Sequence, residues 1–323
     1  MEKRILITGI TGFVGSHLAE YCLSKEGVKI YGTVMSNHLG EELTRIEAIK
    51  DKITLVECDL TNRVSVSRAI LESKPDVIFH LAAQSFVPVS WQSPEGTLIN
   101  NIVSELNIFE VLKETKIDPV IVLACSSEEY GLVLDNEIPI KETNPLRPLS
   151  PYAVSKVCQE MLGYQYYKSY GLKVVIIRFF NTEGPKRGQD FVISNFAKQI
   201  AEIEKGKKDP VIYVGNLEAK RDFSDVRDIV KAYWLASEKC NFGEAYNVSS
   251  GKSVSIRSIL ESLLIESRVK DIKILQDDKR MRPSDLLVLE GDSSKFRQIT
   301  GWQPEITLEK TLKDTLNYWR YRI

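Results

Sequence analysis

Three short stretches carry residue types and spacings that can do chemistry. The first is CSSEEYG (125–131), which closes an apolar run, VIVLA (120–124), with two hydroxyls, two carboxylates and a phenol. A strand that only had to stop could do so on Gly, Pro or Asn, so the turn itself does not demand this set. Ser126 and Glu128 could hold a substrate oxygen and move a proton. Taken alone, the cluster is better read locally: Ser126, Ser127 and Glu128 hydrogen-bond the following turn and Glu129 is solvated. The second stretch is YAVSK, where Tyr152 and Lys156 stand at i and i+4 on one helical face and an ammonium can stabilise a phenolate. A phenol must be lowered by about 3 units, roughly 4 kcal/mol, to act as a base near neutrality, and Lys156 and an oxidised nicotinamide are the available sources.

The third stretch is ILITGITGFVGSHL, with Gly9, Gly12 and Gly15 following a strand and opening a helix. Gly9 permits the tight turn, Gly12 lets backbone approach a pyrophosphate, and Gly15 lets the helix pack closely on the strand. The N–H groups that open the helix, those of Phe13 and Val14 among them, then face an anion. The spacing is G-x-x-G-x-x-G rather than the G-x-G-x-x-G of the standard dinucleotide fingerprint, and the flanking strand and helix are what favour a dinucleotide site over a plain close crossing.

The elements that must position these groups alternate. Strands are expected over 4–9, 29–34, 53–59, 76–82, 119–125 and 173–181, and helices over 15–27, 64–74, 101–115 and 151–171. The β-branched runs are nearly continuous, as in strands covered on both faces, so the fold class is α/β, a doubly wound parallel sheet of Rossmann type. Beyond Asn181 the pattern changes to Gly/Pro turns, helices over 196–206, 225–239 and around 256–266 and 308–319, and short strands near 211–215 and 245–250. No repeat or low-complexity linker separates the parts, so a smaller substrate domain is interleaved with the first. The expected division is 1–181 with about 225–253 for the dinucleotide, and 182–224 with 254–323 for the substrate.

Composition narrows the class. With 323 residues, 43% hydrophobic and 27% charged, the chain is an ordinary globular protein of about two domains. A formal net charge of −1 offers no general field for nucleic acid or an anionic membrane, so an anionic ligand must be met locally. Five scattered cysteines without a C-x-x-C pair suit a reducing compartment, and His17, His38 and His80 have no metal-ligand spacing. No segment has the pattern of a signal peptide or the length of a membrane span, so a cytoplasmic location is expected.

TGITGFVG, CDL (58–60), HLAAQS (80–85), SSEEYG, SPYAVSK and RFFN (178–181) occur in the order typical of extended short-chain dehydrogenases/reductases, which the chain resembles over essentially its whole length. QSFVPVSWQSPE (84–95), FNTEGPKRGQDFV (180–192), GNLEAKRDFSDVRD (215–228) and MRPSD…GDSSK…TGW (281–302) narrow the resemblance to the branch acting on GDP-sugars, which holds both 4,6-dehydratases and 4-keto reductases. The resemblance implies a catalytic set of Ser126, Glu128, Tyr152 and Lys156. It implies cofactor contacts from the glycine loop, Asp59, Leu60, Leu81, Ala82, Ala83 and Asn101, besides Tyr152 and Lys156. It implies contacts to a GDP-linked sugar from Ser85, Asn181, Val192, Asn216, Arg221 and Arg282, with Arg187 on substrate, cofactor phosphate or a neighbouring subunit. Glu129, one position on from Glu128, is expected to point away and serve no chemistry. Two family helices, here 101–115 and 151–169, pair subunits, implying a homodimer or a dimer of dimers.

Some positions depart from the branch. TVMSNH (33–38) lacks the arginines that bind the 2′-phosphate of NADP but also lacks an acid to repel it, so NADP(H) is expected, with Ser36, Asn37 and His38 as hydrogen-bonding candidates and NAD(H) as the alternative. Thr182 and Asn195 stand where dehydratases often carry His and Lys. The expected activity is a GDP-mannose 4,6-dehydratase; a 4-keto reductase and a non-catalytic dinucleotide sensor are the alternatives. The intact Ser, Tyr and Lys argue against the sensor, which needs no proton-transfer set.

Overall fold

The computed structural model describes residues 2–35, 41–280 and 287–323. The apolar runs of the first half form β1 (Lys3–Thr8), β2 (Val28–Val34), β3 (Thr54–Glu57), β4 (Val77–His80), β5 (Val120–Ser126) and β6 (Lys173–Phe179). Shorter strands follow: β7 (Asn181–Glu183), β8 (Val211–Val214), β9 (Lys220–Asp225), β10 (Ala245–Val248), β11 (Ser253–Ser255), β12 (Lys273–Gln276) and β13 (Val288–Leu289). The main sheet has the order β10-β6-β5-β4-β1-β2-β3 with every pair parallel. Chain order reverses between β1 and β4, the crevice where a doubly wound sheet binds its ligand.

The helices are α1 (Phe13–Leu23), α2 (Arg63–Ser73), α3 (Val87–Gln92), α4 (Pro94–Leu98), α5 (Ser104–Thr115), α6 (Pro151–Tyr170), α7 (Val192–Glu204), α8 (Val226–Lys239), α9 (Ile256–Ile265), α10 (Ser294–Thr300) and α11 (Leu308–Arg322). Successive strand residues face opposite sides: Ile5, Ile7, Val122, Val175 and Ile177 pack with Leu18, Ile229 and Tyr233 of α1 and α8. Leu6, Ile121, Leu123, Val174 and Ile176 pack with Ile70, Phe109, Leu112 and Tyr166 of α2, α5 and α6. Burial on both faces is why these strands read as unbroken apolar runs.

A second core joins α7, α9, α11 and β8 through Ile193, Ile200, Ile212, Leu260, Leu312 and Leu316. Beside it β9 pairs with β7, β11 and β13. Three details differ from expectation. The helix expected from 101 begins at Ser104, after a π-helical turn (Ile99–Val103) and the unexpected α3 and α4, each with Pro in its first turn. Helix α7 starts at Val192, not 196. Phe296 and Trp302, expected in the substrate domain, pack into the core of the main sheet. Among the described residues no helix is long and apolar enough to cross a membrane.

Candidate active site

The glycine loop is shaped by contact. Gly9 takes φ 68°, a left-handed conformation that glycine adopts without strain, and a Cβ there would stand 3.0 Å from Ala82 Cα. A Cβ on Gly15 would strike the Gly9 carbonyl oxygen and lie 2.9 Å from Ile10 Cα. A Cβ on Gly12 would approach only the Gly9 carbonyl oxygen, at 3.1 Å, leaving its outer side open. Helix α1 starts there with neither a side-chain cap nor an acid in its first turn, so its leading N–H groups are directed at an anion. Cations gather beside it. Arg45 gives Nη1 to the Thr11 carbonyl at 3.3 Å and Nε to the Lys186 carbonyl at 3.2 Å. The Arg187 guanidinium lies 3.4 Å from the Phe191 ring centroid and 4.8 Å from that of Phe13, with its Nε buried and without a hydrogen-bond partner. This close-packed, uncapped and cationic loop fits the phosphates of a dinucleotide cofactor.

The candidate proton-transfer residues meet at the end of β5. Ser150 caps α6, its Oγ accepting from Ala153 N at 3.1 Å, and Pro151 follows at the first helical position, so Tyr152 and Lys156 fall in the opening turns. The Ser126 hydroxyl hydrogen-bonds Tyr152 and also accepts from Glu128 N at 3.2 Å. Glu128 is half-buried and bears electrostatically on Tyr152. Lys156 is 3% exposed; its Nζ donates to the Ala124 carbonyl at 2.7 Å and stands 6.0 Å from the Tyr152 ring centroid. Burial pushes the Lys156 ammonium down and the Tyr152 phenol up, the latter opposed by the Ser126 hydrogen bond and reinforced by Glu128 and Glu129. One of the three Lys156 donors is thus taken by a backbone carbonyl, and the hydroxyl facing the phenol is that of Ser126.

Hydrogen bonds place two supporting residues, and the first differs from expectation. Glu129 is not solvated: it is fully buried, and its Oε1 accepts from Ser126 N at 2.8 Å, closing a capping box over the turn 127–130. Asn101, expected on the cofactor, has its amide committed elsewhere. Oδ1 accepts from Gln84 N at 2.8 Å and Asn100 Nδ2 at 3.0 Å, while Nδ2 donates to the Gln84 carbonyl at 3.1 Å and Ser155 Oγ at 2.9 Å. It thus ties the 81–85 loop to α6. His80, wholly sealed and pushed down to about 3 by burial, is a neutral ring between Thr8 Oγ1 (2.9 Å) and Gln159 (3.5 Å). Thr8 Oγ1 in turn accepts from Leu81 N and Ala82 N, each at 3.1 Å, and so fixes the loop carrying Leu81, Ala82 and Ala83 beside Gly9.

The family model for GDP-mannose 4,6 dehydratase matches residues 6–315. The chain belongs to that family. It is 32% identical to GDP-6-deoxy-D-mannose reductase of Pseudomonas aeruginosa over 100% of this chain and 99% of that protein. It is 31% identical to a GDP-mannose 4,6-dehydratase of Vibrio cholerae, covering 96% and 92%. The structure of RMD from Pseudomonas aeruginosa complexed with NADPH superposes with a TM-score of 0.86 at 31% identity, over 99% of this chain and 100% of that one. UDP-glucose 4-epimerase of Thermotoga maritima gives 0.87 at 25% identity, over 98% and 99%. The extended short-chain dehydrogenase/reductase fold is shown, and this member of the GDP-mannose 4,6-dehydratase family is an NAD(P)-dependent nucleotide-sugar enzyme.

The remaining expected residues fall in three places. Asp59 follows β3 and is exposed; it accepts from Thr61 N and Oγ1, at 2.9 and 2.7 Å, while the cap of α2 is Asn62. Leu60 follows it, half-buried. Ser85 is exposed on the loop after β4. On the substrate side, Asn181 opens β7 opposite Phe223, with its Oδ1 buried and unpartnered, and Arg221 lies buried in β9, giving Nη1 to the Lys220 carbonyl at 2.9 Å. Val192 starts α7, and Asn216 after β8 accepts from Glu218 N at 3.0 Å. Arg282, Ser36, Asn37 and His38 lie outside the described residues. Sequence reading missed Arg45, and it missed the buried group of Glu129, Glu160 and Arg178. A signal for the latter existed: an arginine inside the apolar strand VVIIRFF must find a buried partner.

Proposed function

We propose that the chain is a nucleotide-sugar 4,6-dehydratase that converts GDP-mannose to GDP-4-keto-6-deoxymannose. The observation that carries this reading is Glu128, held on the same turn as Ser126 and bearing on Tyr152. The glycine loop, Tyr152 and Lys156 would hold NADP, which would supply a reversible hydride acceptor for the sugar C4 and C6. Tyr152 takes the O4 proton while Ser126 Oγ hydrogen-bonds O4. Glu128 removes the C5 proton acidified by the 4-ketone and, once protonated, gives that proton to the departing C6 hydroxyl, which leaves as water; C5 then takes a proton from solvent as hydride returns to C6, and Tyr152 releases the O4 proton to solvent. Asn181, Val192, Asn216, Arg221 and Arg282 hold the GDP part, the arginine fork suiting a diphosphate, with Ser85 near the sugar. The enzyme works in the cytoplasm as a homodimer or a dimer of dimers.

In D₂O the wild type is expected to deuterate C5 of GDP-mannose and release water with no net change in NADPH absorbance. Glu128→Gln should slow this by about 10²–10⁴ while leaving partial C4 oxidation. A protein that ignores GDP-mannose but consumes NADPH stoichiometrically on GDP-4-keto-6-deoxymannose is instead the reductase. One observation favours that second reading: Asn195, where a dehydratase often has Lys, is engaged by Arg280 at 2.9 Å and Gln199 at 2.7 Å.

A further inference from the structure

Directly behind the Ser126–Glu128 turn lies a buried group of charges that the chemistry above does not use. Arg178 on β6 gives Nε to one oxygen of Glu160 on α6 at 2.7 Å and Nη2 to the other, and Nη1 to the Tyr130 hydroxyl at 2.8 Å and the Glu142 carbonyl at 3.1 Å. Its guanidinium is thereby committed to Glu160. Glu129 lies alongside with Oε2 3.8 Å from Arg178 Nε, too far for a hydrogen bond, and no other donor reaches that oxygen. A carboxyl oxygen of Glu129, one of Glu160 and Sγ of Cys125 all fall within 4.8 Å of one another. Two carboxylates share one hydrogen-bonding guanidinium in a fully buried site, and the Lys156 ammonium, which also acts on Glu129, donates to the Ala124 carbonyl instead, so a bare charge on Glu129 is a costly arrangement. A proton on Glu129 removes that charge and turns the orphaned Oε2 into a donor to Glu160. A metal ion among the same three residues would meet the guanidinium already seated on Glu160.

We infer that Glu129 is held as a neutral acid and is the positioning residue of the active-site turn, accepting from Ser126 N with one oxygen and donating to Glu160 with the other. The groups facing it are Glu160, Cys125 and the opposing cations Arg178 and Lys156. Burial and then Glu160 push the Glu129 carboxyl well up, against Arg178 and the Ser126 N–H, and burial likewise pushes up the neighbouring Cys125 thiol, leaving it neutral. A charge on Glu129 would raise the Tyr152 phenol and hold the proton on Lys156, so its neutrality keeps negative charge off the proton-transfer set. The adjacent pair Glu128–Glu129 is thus divided by environment, one carboxyl facing the site and the other sealed behind it. The positioning role rests on reading Ser126 and Glu128 as the working face; the proton on Glu129 does not.

Infrared difference spectroscopy on the full-length protein at pH 7 tests the proton. Wild type minus Glu129→Gln should show the C=O stretch of a protonated carboxyl above the amide I band, moving on transfer to D₂O. A difference containing only carboxylate bands overturns the inference, whichever sugar reaction the enzyme performs. Kinetics test the positioning. Glu129→Leu removes both hydrogen bonds and should lower kcat by about tenfold or more with KM little changed, while Glu129→Gln, which can accept from Ser126 and donate to Glu160, should recover most of the loss. Equal losses in the two variants overturn the positioning role, and if Glu129→Leu does not fold the infrared comparison decides alone.

Discussion

Gly12 and Gly15 belong to one sequence motif, yet they should fail in different ways when given a side chain. At Gly15 a Cβ meets backbone on two sides, the Gly9 carbonyl and Ile10 Cα at 2.9 Å, and neither can move without shifting β1 against α1. Ala gains up to about 1 kcal/mol over Gly in a helix, but overpacking against backbone costs about 3 kcal/mol, so Gly15→Ala should be destabilised by roughly 2 kcal/mol net. That is a large part of the 5–15 kcal/mol typical of a folded domain. Gly12 is the cap of α1 with φ −68° and ψ 171°, open to any residue, and its Cβ meets only the Gly9 oxygen at 3.1 Å. Gly12→Val should therefore cost only about 1 kcal/mol of stability. Its methyls, however, stand over the N–H groups that open α1. Losing two charge-assisted hydrogen bonds of about 1.5–3 kcal/mol each would weaken dinucleotide binding by at least about 100-fold. Urea midpoints give the first quantity and titration calorimetry with NADPH the second. Wild-type NADPH affinity in Gly12→Val would remove the phosphates from this loop, and equal stability losses in the two variants would refute the steric distinction.

Two further outcomes follow from groups outside the turn 126–130. Burial pushes the Glu183 carboxyl up to about 7, opposed by Arg187, so the folded protein holds a proton there that the unfolded chain releases near pH 4.5. Stability should fall as pH rises from about 4.5 to about 7, by about 3 kcal/mol at most, and Glu183→Gln should flatten that slope; parallel urea-midpoint curves for variant and wild type would sink the assignment. On α6, Val154, Met161 and Tyr164 are 39, 48 and 46% exposed, with the half-buried Val157 and Cys158 between them on the same side of the helix. If this stripe pairs subunits, light scattering at micromolar concentration should report a dimer or tetramer for the wild type and a smaller species for Met161→Arg, whereas a monomeric wild type would contradict the pairing.

What the sequence discloses and what it hides divides along one physical line. Steric and periodic constraints are local, and they were legible. Gly9 and Gly15 read correctly because the strand-to-helix turn leaves no room for a Cβ, Tyr152 and Lys156 because 3.6 residues per turn puts i and i+4 together, and the parallel sheet because strands buried on both faces cannot alternate. Electrostatic meaning is set by partners that only register supplies. Glu129 looks like a solvated acid until β5 pairs with β6 and Cys125 stands opposite Arg178. β9, KRDFSD, lacks every sign of a buried strand, yet all but its first residue is buried. Its charges are met from afar: Asp222 accepts from Ser250, Gly251 and Gly291, and Asp225 caps α8 while binding Thr311. Lys156 shows both sides of the division. Its helical face was predictable from spacing alone, but its ammonium is turned to the Ala124 carbonyl, a backbone group that no reading of side-chain types could identify. Ser126, Glu128 and the acid behind them are placed by how β5 ends and by that strand's register with β6, which the YAVSK spacing does not reveal.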